Sequence, residues 1–173
     1  GTMSLRPKTL LWVIHDLVLS LVGHGFDRIF VINGHGGNIA TTKAAFAQAY
    51  STVVGSSDSN LTKEFRCKLA NWFMAPAVAR EAHDLYGDKE GQHATPSEIA
   101  LTLYLHPILQ DKQRKLEEPS PSGPIYGPED FRKRYPDGRM GSDPYLARPH
   151  HGASLLQKAA CALSKDLTNF LLA

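Results

Sequence analysis

Arg28-Ile29-Phe30-Val31-Ile32 runs directly into Asn33-Gly34-His35-Gly36-Gly37-Asn38, and the reading of this stretch decides the fold. The first five residues form a short apolar run, bounded by charge on one side and glycine on the other. A run of that length with β-branched and aromatic side chains reads as a buried strand. The glycines let the backbone turn sharply and approach a ligand with no Cβ in the way. A histidine at the carboxyl end of such a strand stands where open α/β sheets place their chemistry. Two readings follow: the strand delivers the His35 imidazole to a metal or catalytic site, or His35 merely hydrogen-bonds its own loop. Phosphate cradles fit worse. The spacing of Gly34, Gly36 and Gly37 is not GxGxxG, and no Gly-Lys-Ser/Thr ending follows.

Upstream, Leu10, Leu11, Val13, Ile14, Leu17, Val18 and Leu21 recur at helical spacing, so residues 9–22 read as an amphipathic helix. Gly23 and Gly25 end it, with His24 between them at the cap. Downstream, the alanine-rich residues 39–50 read as a second helix. Helix, strand, turn, helix is the rhythm of a parallel sheet covered on both faces. Residues 51–55 are a weak candidate for a second strand, and 66–74 for a third. Pro76 opens a short helix through Ala82, and 96–104 carries another helical pattern. Residues 107–149 hold most of the prolines and no sustained period, so they read as a long irregular excursion. Its Tyr126, Phe131, Tyr135 and Tyr145 either shape a pocket or subunit contact, or pin the segment to the core. Residues 152–172 close the chain as a strong helix.

At 173 residues and 42% hydrophobic content, the chain has the make-up of one globular domain with a sound core. The net charge of +2 with interspersed signs excludes the basic stripe of a nucleic-acid binder. Lys112-Gln113-Arg114-Lys115 is followed by Glu117-Glu118 and reads as a solvated face. Cys67 and Cys161 fit no CxxC or zinc-finger spacing, and read as reduced, buried thiols of a cytoplasmic protein. No stretch has the length and apolarity of a membrane span, and no signal peptide is visible. The chain opens on Gly1 and not on methionine, which reads as a tag remnant or as a piece of something longer.

The second constellation is Gly91-Gln92-His93-Ala94-Thr95-Pro96-Ser97-Glu98. Thr95 or Pro96 starts a helix there, since proline is favoured in a first turn. His93 then stands just before the helix and Glu98 one turn inside it, and the two side chains either converge at the helix N-terminus or sit as ordinary surface groups. A carboxylate at that end is stabilised by the helix dipole, and an imidazole beside it shuttles protons or binds metal. His83 beside Asp84 reads as a helix-surface pair. His150 and His151 are a poor metal pair because adjacent side chains diverge on a helix. His15 beside Asp16 reads as a satisfied or half-exposed polar position.

Taken together, these pieces resemble the creatininase (creatinine amidohydrolase) family. The matching pieces are Gly1-Thr2-Met3-Ser4-Leu5, Ile32 with the Asn33-to-Asn38 loop, His93-Ala94 with Glu98 five residues after the histidine, and Gly138-Arg139-Met140-Gly141-Ser142-Asp143-Pro144. The Asn-Gly-His-Gly-Gly-Asn element is the specific one, and the resemblance runs along essentially the whole chain. It implies a three-layer α/β/α fold with a mostly parallel central sheet, and a cytoplasmic hydrolase of small amides or cyclic amides. It also implies two divalent metal ions per complete site, of zinc, manganese or iron, and a homo-oligomer that in several members is a hexamer. No nucleic-acid or membrane partner is implied.

Carried over, His35 is a metal ligand, and Gly36, Gly37 and Asn38 line the substrate site. His93 is a proton shuttle or oxyanion partner, and Glu98 binds the second metal or orients the attacking water. The sequence departs from the family pattern in three places. The family's Glu-x-His pair and following aspartate come from an N-terminal segment that does not precede Gly1, so this chain is expected to hold about half of a dinuclear site, or to be an inactive relative with a binding or assembly role. Creatininase itself carries glutamate where Gly37 stands, which argues against creatinine as the substrate. Thr95-Pro96-Ser97 and Ile99-Ala100 also replace the family's usual residues around Glu98.

Overall fold

The computed structural model describes residues 4–57, 64–115 and 117–173, so the Gly1-Thr2-Met3 part of the resemblance lies outside the described residues. The chain forms two compact units, Gly1–Phe73 with Leu163–Ala173, and Met74–Ala162.

In the first unit the order is helix α1 (Pro7–Gly23), strand β1 (Arg28–Asn33), helix α2 (Ile39–Gly55) and strand β2 (Arg66–Asn71). Pro7 suits a first helical position, where the missing N–H costs nothing. At the other end of α1, the His24 Nδ1 donates to the Ser20 carbonyl at 2.6 Å, and Gly25 turns away at φ +87°. The strands pair in parallel, Ile29 opposite Cys67, Phe30 opposite Lys68 and Val31 opposite Leu69.

Side chains alternate across a sheet, and here the two faces meet different helices. Ile29, Val31, Cys67 and Leu69 pack against Val18, Val22, Phe46, Ala49 and Val53 of α1 and α2. On the other face lies the end of the long terminal helix α6 (Pro149–Leu172). There Phe30 meets Phe170 at 5.9 Å between ring centres, Lys68 pairs with Asp166 at 2.5 Å, and Arg66 donates to the carbonyl of Ala173. Helices on both faces of a parallel pair make the α/β/α layering that the sequence implies.

Two expectations are corrected in this unit, and a third, on the cysteines, concerns Cys161 of the second unit as well. Residues 51–55 are the last turn of α2 and not a strand. Their adjacent valines favour a strand, but Val53 is buried against α1, and Thr52 back-bonds to Gln48 while meeting His15 at 3.1 Å; packing overrides propensity. On α1 the apolar stripe is wider than the buried face. Val13, Leu17 and Leu21 are exposed while His15 is buried, because α2 covers only the side that carries Ile14, Val18 and Val22. Both cysteines are free thiols, as expected, but Cys161 is exposed and Cys67 only half-buried.

The second unit holds α3 (Pro76–Tyr86), α4 (Pro96–Leu105), α5 (Pro128–Arg134) and the first part of α6. Its buried residues include Val78, Ala82, Ala100, Leu103 and Leu155. A Cβ on Gly152 would stand 2.0 Å from the carbonyl oxygen of Ala100, so α4 and α6 touch backbone to backbone at this glycine. Glu81 of α3 accepts from Ser154 and Lys158 of α6. Within 107–149 the aromatics divide. Tyr135 is an anchor, 2% exposed, with its hydroxyl donating to the Gly123 carbonyl at 2.9 Å. Tyr145 lines a cavity of about 250 Å³ with Ile99, Leu103, Leu109 and Pro144, and Tyr126 is exposed. Among the described residues, no helix is long and apolar enough to cross a membrane.

Gly152→Ala should lower the unfolding free energy by about 2–3 kcal/mol, since an inserted methyl has no space. Urea denaturation checks it, and an unchanged midpoint would contradict the close approach of α4 and α6.

Candidate active site

In the first unit the site begins with one amide. Asn33, the last residue of β1, is 5% exposed. Its Nδ2 donates to the His35 carbonyl at 2.7 Å and to Asn71 Oδ1 at 2.7 Å. Its Oδ1 accepts from the His35 backbone N–H at 3.2 Å and from Asn38 Nδ2 at 3.4 Å. Two donors and two lone pairs are all that an asparagine amide has, and every one is used. The loop carrying His35 is therefore gripped from both sides of its peptide, and tied to the end of β2 through Asn71.

His35 is exposed at the surface of this unit. Its ring lies against Gly37, where a Cβ would stand 2.9 Å from His35 Nε2. A side chain at position 37 would displace the imidazole, so Gly37 is the residue that lets the ring lie where it does. Asn38 opens α2 after a single three-residue turn (Gly36–Asn38).

In the second unit His93 and Glu98 flank the start of α4. Pro96 is the first helical residue, and Thr95 caps the helix by accepting from the Glu98 N–H at 3.3 Å. The Thr95 hydroxyl also donates to Glu98 Oε2 at 3.1 Å. His93 is exposed, and its ring lies 5.7 Å from that of Phe131.

The backbone of residues 89–93 is strapped to residues 140–143. Gln92 N donates to the Met140 carbonyl at 2.8 Å, Met140 N to His93 O at 3.4 Å, and Asp143 N to Lys89 O at 2.9 Å. Ser142 adds its hydroxyl to the His93 carbonyl. Gly91, at φ +63°, lies so close that a Cβ would stand 2.4 Å from both Met140 O and Ser142 N. Ala94 takes φ +53°, a conformation that costs a non-glycine residue about 1–2 kcal/mol. The strap holds it there.

Several residues of this region carry no sequence signal. Glu90 lies in an ordinary charged stretch, yet its Oε2 is buried without a partner while its Oε1 meets the hydroxyl of Ser97. Burial pushes the Glu90 carboxyl above its usual range, against the pull of the Ser97 and Thr95 hydroxyls, and the charge of Glu98 raises it further. Nearby, Tyr86 bonds to His151 Nδ1 at 3.0 Å, and burial, then the neighbouring His150 and Arg148, lower the pKa of His151. His15 is buried and satisfied by Asp16 and Thr52. His83 is exposed.

The donors in both places, imidazole and carboxylate, are of the type that holds zinc or manganese. Yet among the described residues no three His, Cys, Asp or Glu side chains gather around one point, and a catalytic zinc takes three protein ligands. The described residues do not by themselves make a metal site.

The family model for creatininase, described as creatinine amidohydrolase, matches residues 1–167. No curated protein matches the chain at a significant level. Among solved structures, creatinine amidohydrolase (creatininase) superposes with a TM-score of 0.76 at 22% identity, covering 98% of this chain. A zinc–zinc form of a glutamate-to-glutamine creatininase mutant gives 0.76 at 21% identity. A manganese creatininase gives 0.76 at 22%, both again over 98% of this chain. At such identity the likeness carries the fold. The chain spans 66% of the length of each of these structures.

Asn33→Ala should cost about 2 kcal/mol, since it leaves the buried Asn71 and His35 groups short of partners. It should also speed hydrogen exchange at the His35 amide. Retention of wild-type exchange there would mean that Asn33 does not hold the loop.

Proposed function

Because the chain belongs to the creatininase family, we propose that it is part of a metal-dependent hydrolase that cleaves a C–N bond in a small amide or cyclic amide. The observation that carries this reading is the His35 loop. It presents an imidazole at the carboxyl end of a partly buried parallel strand, with its backbone fixed by Asn33 and its ring seated over Gly37. A ligand must be held still to bind a metal tightly, and this loop has the means. Creatininase structures include a zinc–zinc form, a manganese form and a creatine complex, which fits small-molecule chemistry in the family.

Divalent ions in such a centre supply a water whose pKa is lowered to about 7. The roles proposed for this chain concern what its own side chains do. His35 gives one imidazole ligand. Glu98 gives a carboxylate that binds a metal or orients the attacking water, and the Thr95 hydroxyl that donates to it fixes its place. His93 carries a proton to the leaving nitrogen, a task suited to an imidazole. Gly36 and Gly37 leave room for the substrate, with Asn38 at the edge of that room. Glycine at position 37, where creatininase has glutamate, favours a substrate other than creatinine. His35 and Glu98 are members of a larger ligand set, since each ion needs three or more. A cytoplasmic homo-oligomer, with the 1–173 stretch as one creatininase-like domain, belongs to the same proposal.

Elemental analysis of the full protein, wild type against His35→Ala, tests the ligand role. The variant should lose most of its zinc or manganese at one site and at least about a hundredfold in amide hydrolysis. Wild-type metal content in His35→Ala would remove His35 from the centre. A full metal complement with no hydrolysis of any amide in either protein would leave a binding role in its place.

A further inference from the structure

Glu90 is a half-buried acidic group, with one oxygen enclosed, that the proposed chemistry does not use, and the contacts around it do not balance with two ionised carboxylates. Three oxygen–oxygen contacts run in series: Glu90 Oε1 to Ser97 Oγ, Ser97 Oγ to Thr95 Oγ1 at 3.1 Å, and Thr95 Oγ1 to Glu98 Oε2 at 3.1 Å. A hydrogen bond needs one proton between each pair, and the two hydroxyls hold only one each. With both glutamates ionised, Ser97 donates to Glu90 and Thr95 to Glu98, which leaves the Ser97–Thr95 contact with no proton at all. A third proton on one of the carboxyls makes all three contacts hydrogen bonds.

The surroundings decide which carboxyl carries it. Glu98 lies half-buried in the first turn of α4, where its Oε2 has the Thr95 hydroxyl beside it and its own N–H points to the Thr95 oxygen. Glu90 has one oxygen buried without a partner, and an unpartnered buried charge is costly. Among the described residues no lysine, arginine or histidine is paired with it.

We propose that Glu90 is a positioning residue held as the neutral acid, the donor end of a one-way hydrogen-bond chain through Ser97 and Thr95. In that state the Glu90 O–H donates to Ser97, Ser97 donates to Thr95, and Thr95 has its single proton left for Glu98. Thr95 then accepts from Ser97 and from the Glu98 N–H, so both of its lone pairs are filled. An ionised Glu90 would reverse the chain, draw the Thr95 proton towards Ser97 and leave the Glu98 carboxylate without its hydroxyl donor. The consequence for catalysis rests on the role proposed for Glu98, but the chain itself does not.

Carbon-13 spectra of the full protein, labelled at glutamate carboxyls, read this at pH 7 without any need for turnover. The wild type should show one glutamate carbon at the upfield position of a neutral acid. Glu90→Gln should remove that signal and leave Glu98 at the ionised position, because the amide N–H donates to Ser97 as the acid does. A crystal structure of Glu90→Gln should keep Glu98 within hydrogen-bond reach of Thr95. The proposal is overturned if every glutamate of the wild type lies at the ionised position. It is equally overturned if the neutral signal survives in Glu90→Gln, which would put the proton on another carboxyl, or if Glu98 swings away from Thr95 in that variant. Should the hydrolase reading fail on activity, these spectra still decide the state of Glu90.

Discussion

One buried amide sets the geometry of the first unit's functional end. Asn33 closes β1 opposite Asn71 in the parallel register, and its side chain both bridges that register and grips the peptide of His35. An asparagine with all four hydrogen-bonding positions filled is worth far more in place than a single bond, since each lost partner leaves a desolvated group behind. The loop is consequently as rigid as the sheet that carries it. Sheet, amide and loop form one mechanical unit, and the α1 and α2 core on one face with the end of α6 on the other keeps the strands from shifting.

The second unit solves a similar problem by a different route. The segment before α4 has no sheet to lean on, so residues 89–93 borrow backbone partners from residues 140–143. Gly91 makes the close approach feasible, and Ala94 absorbs the turn with a positive φ. Strain of this kind persists only where the surroundings over-determine it. It lies between His93, the proposed proton carrier, and the Thr95 cap whose hydroxyl donates to Glu98.

Much of this was legible in the sequence, for definite reasons. The 28–32 run read as a strand because its four apolar residues, Ile29 to Ile32, are β-branched or aromatic and make a run of strand length, although Ile32 proves exposed. The helices α1 and α4 were marked by helical spacing, α4 also by Pro96 in its first turn, and the starts of α1 at Pro7 and α6 at Pro149 lie two and three residues before the expected ones. The last turn of α2 was not marked, because Ser51 to Gly55 favours a strand locally and becomes helical only through Val53 packing on α1. The exposed half of α1 was missed because periodicity shows which residues are apolar and not which neighbour covers them. In the site, His35 and Asn38 stood out through the glycine pattern. Glu90 and Ser142 did not, since their importance comes from partners seven or more residues away.

In the proposed function the Asn33-held loop presents His35 to a metal ion. An anomalous-scattering crystal structure of the full protein, prepared with zinc, tests this directly. The expected result is an ion about 2.0–2.1 Å from a His35 ring nitrogen, the bonding distance for an imidazole. An ion bound elsewhere with His35 out of its reach, or no ordered ion in a protein given the metal, would contradict it.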